Sequence, residues 1–271
     1  MKPAPFEYVR PQTVEEAVRL LATTPDAKIL AGAQTLGPML NLRLAQPAVL
    51  IDIGRIPELA SITEDSNAIT VGATVTHAAI EDGRIQDPTG GFLAHVARGI
   101  AYRAVRTRGT IGGSLAHADP AADWLSALTA LNAEVVIAGP RSNRRVPLAA
   151  FVRSAMQTEL GVDELLVGVR IPRFSQQARF GFHKICRKTG EFAEAIGVVV
   201  DDPERAFLSM VAGATGGRPI VMEKKAAPGA KGMTIEAAQT LLKEAGYTAD
   251  AYDLKLHAVA LTRACHEAYA A

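Results

Sequence analysis

A chain of 271 residues, 48% apolar and 21% charged, has ordinary globular composition and the length for a large core or two domains. Its formal net charge of +1 gives no basic footprint for nucleic acid or an anionic membrane, and no apolar run approaches the roughly 18 residues of a membrane span. Two cysteines and six histidines without HxH or HxxxH spacing cannot build a four-thiolate iron–sulfur cluster or a Cys-rich zinc site. The expectation is two reduced thiols in a cytoplasmic protein, with no metal held by this chain. The stretch Met1–Gln12 lacks the apolar core of a signal peptide.

In chain order, Tyr8 to Pro11 read as extended. Thr13 to Glu16 form a capping box, and Val14, Ala17, Val18 and Leu21 supply the buried face of a short helix. Lys28-Ile29-Leu30 is a brief strand running into the small-residue turn Ala31-Gly32-Ala33-Gln34-Thr35-Leu36, after which Met39, Leu40, Leu42 and Leu44 are apolar-periodic. Ala48 to Ile53 is an aliphatic strand. Ser61–Thr63 and Ala68–Gly72 read as a hairpin, and short helices follow around Thr76–Glu81 and Phe92–Ala97.

The stretch Thr107–Trp124 combines a second small-residue turn, Gly109 to Ser114, with a helix start. Asp119 is a good N-cap, Pro120 suits the first helical position, and Trp124, Leu125, Leu128 and Leu131 recur at helical spacing. Glu134–Ala138 and Arg145-Val146 form a hairpin, and Glu164 to Ile171 is a strand closed by Pro172. Beyond a polar segment, Phe180–Arg187, Ala193–Val200 and Ala206–Gly213 read as three antiparallel strands. A Gly/Pro/Lys loop, Lys224 to Gly232, precedes two helices, Ile235–Ala245 and Tyr252–Ala270. The order predicts an α+β chain in two parts dividing near residue 175.

Neither turn fits the GxGxxG dinucleotide fingerprint or the GxxxxGK[ST] phosphate loop, which argues against a Rossmann domain or an NTPase. Two such turns can instead grip one diphosphate from two sides through backbone amides. The competing reading is a pair of tight turns between core elements.

These residues resemble one family. Ala31-Gly32-Ala33-Gln34-Thr35-Leu36 looks like its AGGxSL motif, and Thr110-Ile111-Gly112-Gly113-Ser114 matches its TIGG[SN] motif. Asn41–Ala45, Leu50–Ile53, Ala118–Asp123 and Arg187–Ala193 fit as well. The family is the FAD-binding medium subunit of molybdenum hydroxylases, of the carbon monoxide dehydrogenase and xanthine dehydrogenase type.

The resemblance implies a two-lobed α/β FAD-binding domain over residues 1–175 (lobes about 1–54 and 55–175). A three-stranded antiparallel sheet with a helical bundle would follow over 176–271. It implies FAD as this chain's cofactor. Ala31, Gly32, Ala33, Gln34 and Thr35, with Thr110, Ile111, Gly112, Gly113 and Ser114, would surround the diphosphate. Asp123 would accept from a cofactor hydroxyl, Leu166 would pack on the flavin or its tail, and Lys184 would be a nearby basic group, with His183 as the alternative alignment. Phe192 would shield the ring where relatives often carry tyrosine.

The family's partners are a large subunit with a molybdenum cofactor and a small subunit with two [2Fe–2S] clusters, in a dimer of heterotrimers. The activity implied is oxidoreductase electron transfer from those clusters through FAD to an external acceptor, with no general acid, base or nucleophile in this chain. Lacking cluster ligands, the chain reads as a separate flavin subunit rather than part of a fused enzyme. Ala33 replaces a glycine of the first motif, Thr35 a serine and Glu191 an aspartate. Two rivals stand beside this reading. A stand-alone FAD oxidoreductase would need an acid–base group, for which His77, His95 and His117 are the candidates, and a scaffold subunit would have lost FAD.

Overall fold

The computed structural model describes residues 2–222 and 230–270; most of the Gly/Pro/Lys loop expected at 224–232 lies outside them. The N-terminal sheet is parallel, with Val49–Asp52 between Glu7–Val9 and Ala27–Leu30. Parallel neighbours need a crossover, supplied between the two outer strands by helix Val14–Thr23. Thr13 Oγ1 accepts from the Glu16 amide at 3.1 Å, and the Glu16 carboxylate accepts from the Gln12 amide at 2.8 Å. The central strand is buried on both faces, which is why it reads as an unbroken aliphatic run.

The next sheet is antiparallel, in the order Ile62–Glu64, Ala68–Gly72, Leu165–Pro172, Glu134–Ala138, Asn143–Pro147. The helices between Ala68–Gly72 and Glu134–Ala138 include Asp123–Ala130, every residue of which is buried. This helix packs against the third sheet as well, and therefore lacks a polar face.

The third sheet is an antiparallel meander of Arg179–Ile185, Ala195–Asp202, Phe207–Gly213 and Ile220–Met222. The last strand adds a fourth to the three expected; at three residues it carries too little periodicity to be seen beforehand. Helices Ile235–Glu244 and Ala251–Tyr269 close the fold, the longer one lying on this sheet. Its approach is close: a Cβ on Gly181 would fall 1.9 Å from the Ala264 carbonyl oxygen, and one on Gly197 2.4 Å from that of Ala260. Only glycine fits there.

The second glycine turn is itself helical. Residues Ile111–His117 form a helix capped by Thr110, whose hydroxyl accepts from the Gly113 amide. Ala118 ends it in the left-handed region, at φ 53°. The following helix starts at Asp123 rather than at Asp119. Asp119 instead bends the linker, its Oδ1 accepting from the Ala121 amide at 2.9 Å.

Candidate cofactor site

The two glycine turns meet. From strand Ala27–Leu30 the chain passes through residues 31–35 into helix Leu36–Asn41. A Cβ on Gly32 would lie 2.0 Å from the Arg108 carbonyl oxygen and 2.9 Å from the Gly109 Cα. Glycine at 32 therefore lets the first turn rest on the backbone that leads into the second. Both turns line a cavity of about 700 Å³, a volume typical of small-molecule and cofactor sites.

The turns differ in what they offer. Among the described residues, the amides of Gly32, Ala33, Gln34 and Thr35 donate to no other backbone or side-chain group. They remain available to an anion. In the second turn the Ile111 amide donates to the Val75 carbonyl and the Gly112 amide to that of Ala73, both at 3.0 Å. The Gly113 amide is held by Thr110 Oγ1 and the Ser114 amide by the Thr110 carbonyl. The amides of residues 111–114 are thus all bound within the protein, two of them to carbonyls at 73 and 75 and two to Thr110. What the second turn can present is the Thr110 amide, which has no acceptor among the described residues, the Thr110 hydroxyl, whose proton is not used by the cap, the Ser114 hydroxyl, and the bare Cα of Gly113. Ile111 departs furthest, with its side chain fully buried in the main core and outside the cavity lining.

Asp123, Leu166, Lys184 and Phe192 all line the same cavity. Lys184 Nζ donates to Asp123 Oδ2 at 3.1 Å and to the Gly99 carbonyl at 3.3 Å. It also stands 3.1 Å from Asp123 Oδ1, without hydrogen-bond alignment, and that oxygen has no donor among the described residues. Burial pushes the Asp123 carboxyl upward and the Lys184 ammonium pulls it back. His183, the alternative to Lys184, turns to the last helix, its Nδ1 2.7 Å from Glu267 Oε1. Phe192 is 66% exposed. Its loop is clasped where Gly190, at φ 90°, lies against Ala101; a Cβ there would come within 2.7 Å of the Ala101 carbonyl oxygen.

Sequence reasoning placed His77 only as an acid–base candidate and did not find Ala101 or the 161–164 segment, which also line the cavity. No local pattern marks these positions. His77 is buried and its Nδ1 accepts the Trp124 indole N–H at 3.1 Å. Burial, reinforced by the Arg106 charge, pushes its pKa down to about 4. Among the described residues no cluster of three or more His, Cys, Asp or Glu is placed to hold a metal ion.

Free amides, hydroxyls, the buried Asp123 carboxylate and apolar walls together suit a ligand with a diphosphate, sugar-type hydroxyls and an aromatic part. Residues 4–174 match the family described as FAD binding domain in molybdopterin dehydrogenase. The chain belongs to that family. Among curated relatives of this FAD-binding medium subunit is the carbon monoxide dehydrogenase medium chain of Hydrogenophaga pseudoflava. It is 41% identical over 196 residues, which cover 72% of this chain and 68% of the relative. The caffeine dehydrogenase subunit beta of a Pseudomonas species is 37% identical over 196 residues, covering 72% and 66%.

The solved carbon monoxide dehydrogenase from Hydrogenophaga pseudoflava that lacks the Mo-pyranopterin moiety aligns with a TM-score of 0.89 at 34% identity, over 100% of this chain and 99% of that one. Quinoline 2-oxidoreductase from Pseudomonas putida 86 aligns at 0.85 and 29% identity, over 99% and 98%. This is an FAD-binding medium subunit of the molybdenum hydroxylase type, an oxidoreductase component with FAD as its cofactor. The residues fit that cofactor, since the unpartnered amides at 32–35 and the glycine contact between the turns form a cradle for phosphate oxygens. Among the described residues no helix is long and apolar enough to cross a membrane.

Proposed function

We propose that this chain is the electron-transfer subunit of a molybdenum hydroxylase complex. It would work with a large subunit carrying a molybdenum cofactor and a small subunit carrying two [2Fe–2S] clusters, as a dimer of heterotrimers in the cytoplasm. When bound, FAD supplies the two-electron centre that links the partner clusters to an external acceptor. The observation that carries the reading is the contact of Gly32 with Arg108 and Gly109, which joins the two turns over one cavity.

Residues 31–35 hold the diphosphate by backbone amides, and Thr110 and Ser114 add hydroxyl donors. Gly112 and Gly113 keep the second turn thin, while Ile111 anchors it in the core. Asp123 accepts a hydroxyl of the sugar or ribitol portion, and Lys184 keeps its charge balanced. Leu166 packs on the flavin or its tail, and Phe192 shields the ring from water. The FAD-binding part spans residues 1–175, in lobes of about 1–54 and 55–175, and the C-terminal part spans 176–271.

The scaffold reading draws on Ala33, which sits at φ 62°. A left-handed alanine costs about 1–2 kcal/mol, too little to abolish cofactor binding in a site with this many donors.

The purified complex is expected to be yellow, with flavin bands that bleach on dithionite and FAD released by heat. A colourless protein that takes up no added FAD overturns the reading. Flavin retained after denaturation favours the stand-alone oxidoreductase instead.

A further inference from the structure

His77 is 5% exposed, and its ring state follows from one contact. An indole N–H can only donate, so the Trp124 bond to Nδ1 leaves that nitrogen bare and puts the imidazole proton on Nε2. Among the described residues Nε2 has no partner, and the cation beside the ring is already engaged. Arg106 is bound to Glu81 and to the carbonyls of residues 100 and 101. The ring is buried on its other sides and lines the cavity, so this N–H is open to whatever occupies it.

Its location is specific. A Cβ on Gly109 would lie 3.0 Å from His77 Nε2, and a Cβ on Gly32 would lie 2.9 Å from the Gly109 Cα. Gly32, Gly109 and His77 Nε2 thus gather where the two turns touch. Backbone hydrogen bonds fix the histidine there, since the His77 amide donates to the Gly109 carbonyl at 2.9 Å.

We propose that His77 donates its Nε2–H to a phosphate oxygen of the bound cofactor's diphosphate, with Trp124 as the positioning residue that fixes the tautomer. The inference rests on the FAD reading above. It gives the second turn a directed N–H donor in place of the amides used by its helix. The donor is neutral, so this contact adds no positive charge to the apolar cavity, and the low proton affinity of Nδ1 keeps it in one form across ordinary pH.

The test uses the full chain freed of flavin and titrated with FAD and with ADP, which carries the diphosphate without the flavin. Binding is read by flavin fluorescence and calorimetry, and folding by circular dichroism. His77→Asn can still accept from Trp124 but has no donor at the Nε2 position, and is expected to weaken both ligands by about 10- to 100-fold. His77→Gln, which restores a donor there, is expected to recover most of the loss. In the unsubstituted chain, ADP is expected to move the Nε2–H proton resonance downfield and slow its exchange with water, a readout that needs no variant.

Unchanged FAD and ADP affinity in a folded His77→Asn chain overturns the proposal, as does an unmoved Nε2–H resonance on saturation with ADP. Weakened FAD with unchanged ADP overturns it too, since the ring would then serve the flavin end. If the unsubstituted chain binds no FAD at all, the FAD reading itself fails; if it does and the variant matches it, only the role of His77 fails.

Discussion

Residues 31–36 and 109–114 look alike as sequence, each a run of small residues followed by a helix, yet they hold their backbones in opposite ways. The first turn leaves a row of amides without acceptors. The second is absorbed into a helix whose amides are satisfied by Ala73, Val75 and Thr110. The first therefore offers a surface of free backbone amides, and the second is a structural wedge with hydroxyls on its outer side. A glycine-rich motif says that something approaches closely; whether that is a ligand or another strand of the same protein depends on where the amide bonds go.

The two also differ in what stands behind them. The second turn leads to Asp123, which is tied to Lys184 on the C-terminal sheet, whereas the first belongs to the N-terminal sheet. Breaking that tie is expected to have the largest effect. Lys184→Met leaves the Asp123 carboxylate buried and unpaired, and should lower stability in urea unfolding by about 3–5 kcal/mol. The double variant Asp123→Asn/Lys184→Met should regain most of it, because no lone charge remains. Equal loss in the single and double variants would show that the pair contributes by shape and not by charge.

Adjacent glycines in the second turn should separate structure from binding. A Cβ on Gly112 would strike Ala73 at 2.5 Å from its Cβ and 2.7 Å from its carbonyl oxygen, whereas one on Gly113 meets only the Thr110 hydroxyl, at 2.8 Å. Gly112→Ala is expected to cost about 1–3 kcal/mol of stability. Gly113→Val projects into the cavity and should abolish FAD uptake while circular dichroism still reports a formed fold. Normal flavin content in Gly113→Val would place the diphosphate elsewhere.

Much of this was legible in the sequence, and the exceptions have physical causes. Val49–Asp52 and Ala195–Asp202 stand out because buried strands need continuous aliphatic runs. The helix at Ile111–His117 is hidden because two glycines oppose helix propensity; contacts with residues 73–75, distant in sequence, override that preference. The elements Pro57–Ala60, Arg103–Arg106 and Leu148–Phe151 are single turns, too short to carry a period. The small residues of the two turns that line the cavity could be read from the motifs. The pairing of His77 with Trp124, 47 residues away, could not.

Ala33 offers the finest test of the contrast between the turns. It stands where the family motif has glycine, and the backbone still adopts the left-handed conformation that glycine would take, at φ 62°. The first turn thus keeps its shape against the local preference of its own residue, as a surface defined by its backbone must. Ala33→Gly relieves the Cβ clash but returns conformational freedom to the unfolded chain, so the net gain should be small, about 0.5–1 kcal/mol. For a protein of this size that corresponds to a rise of about 1–4 °C in thermal midpoint. Since the amides are already free, FAD affinity should change by less than about threefold, under 1 kcal/mol. A large gain in affinity from Ala33→Gly would mean that the alanine methyl holds the turn out of its binding shape, and the first turn would then be as dependent on side-chain fit as the second.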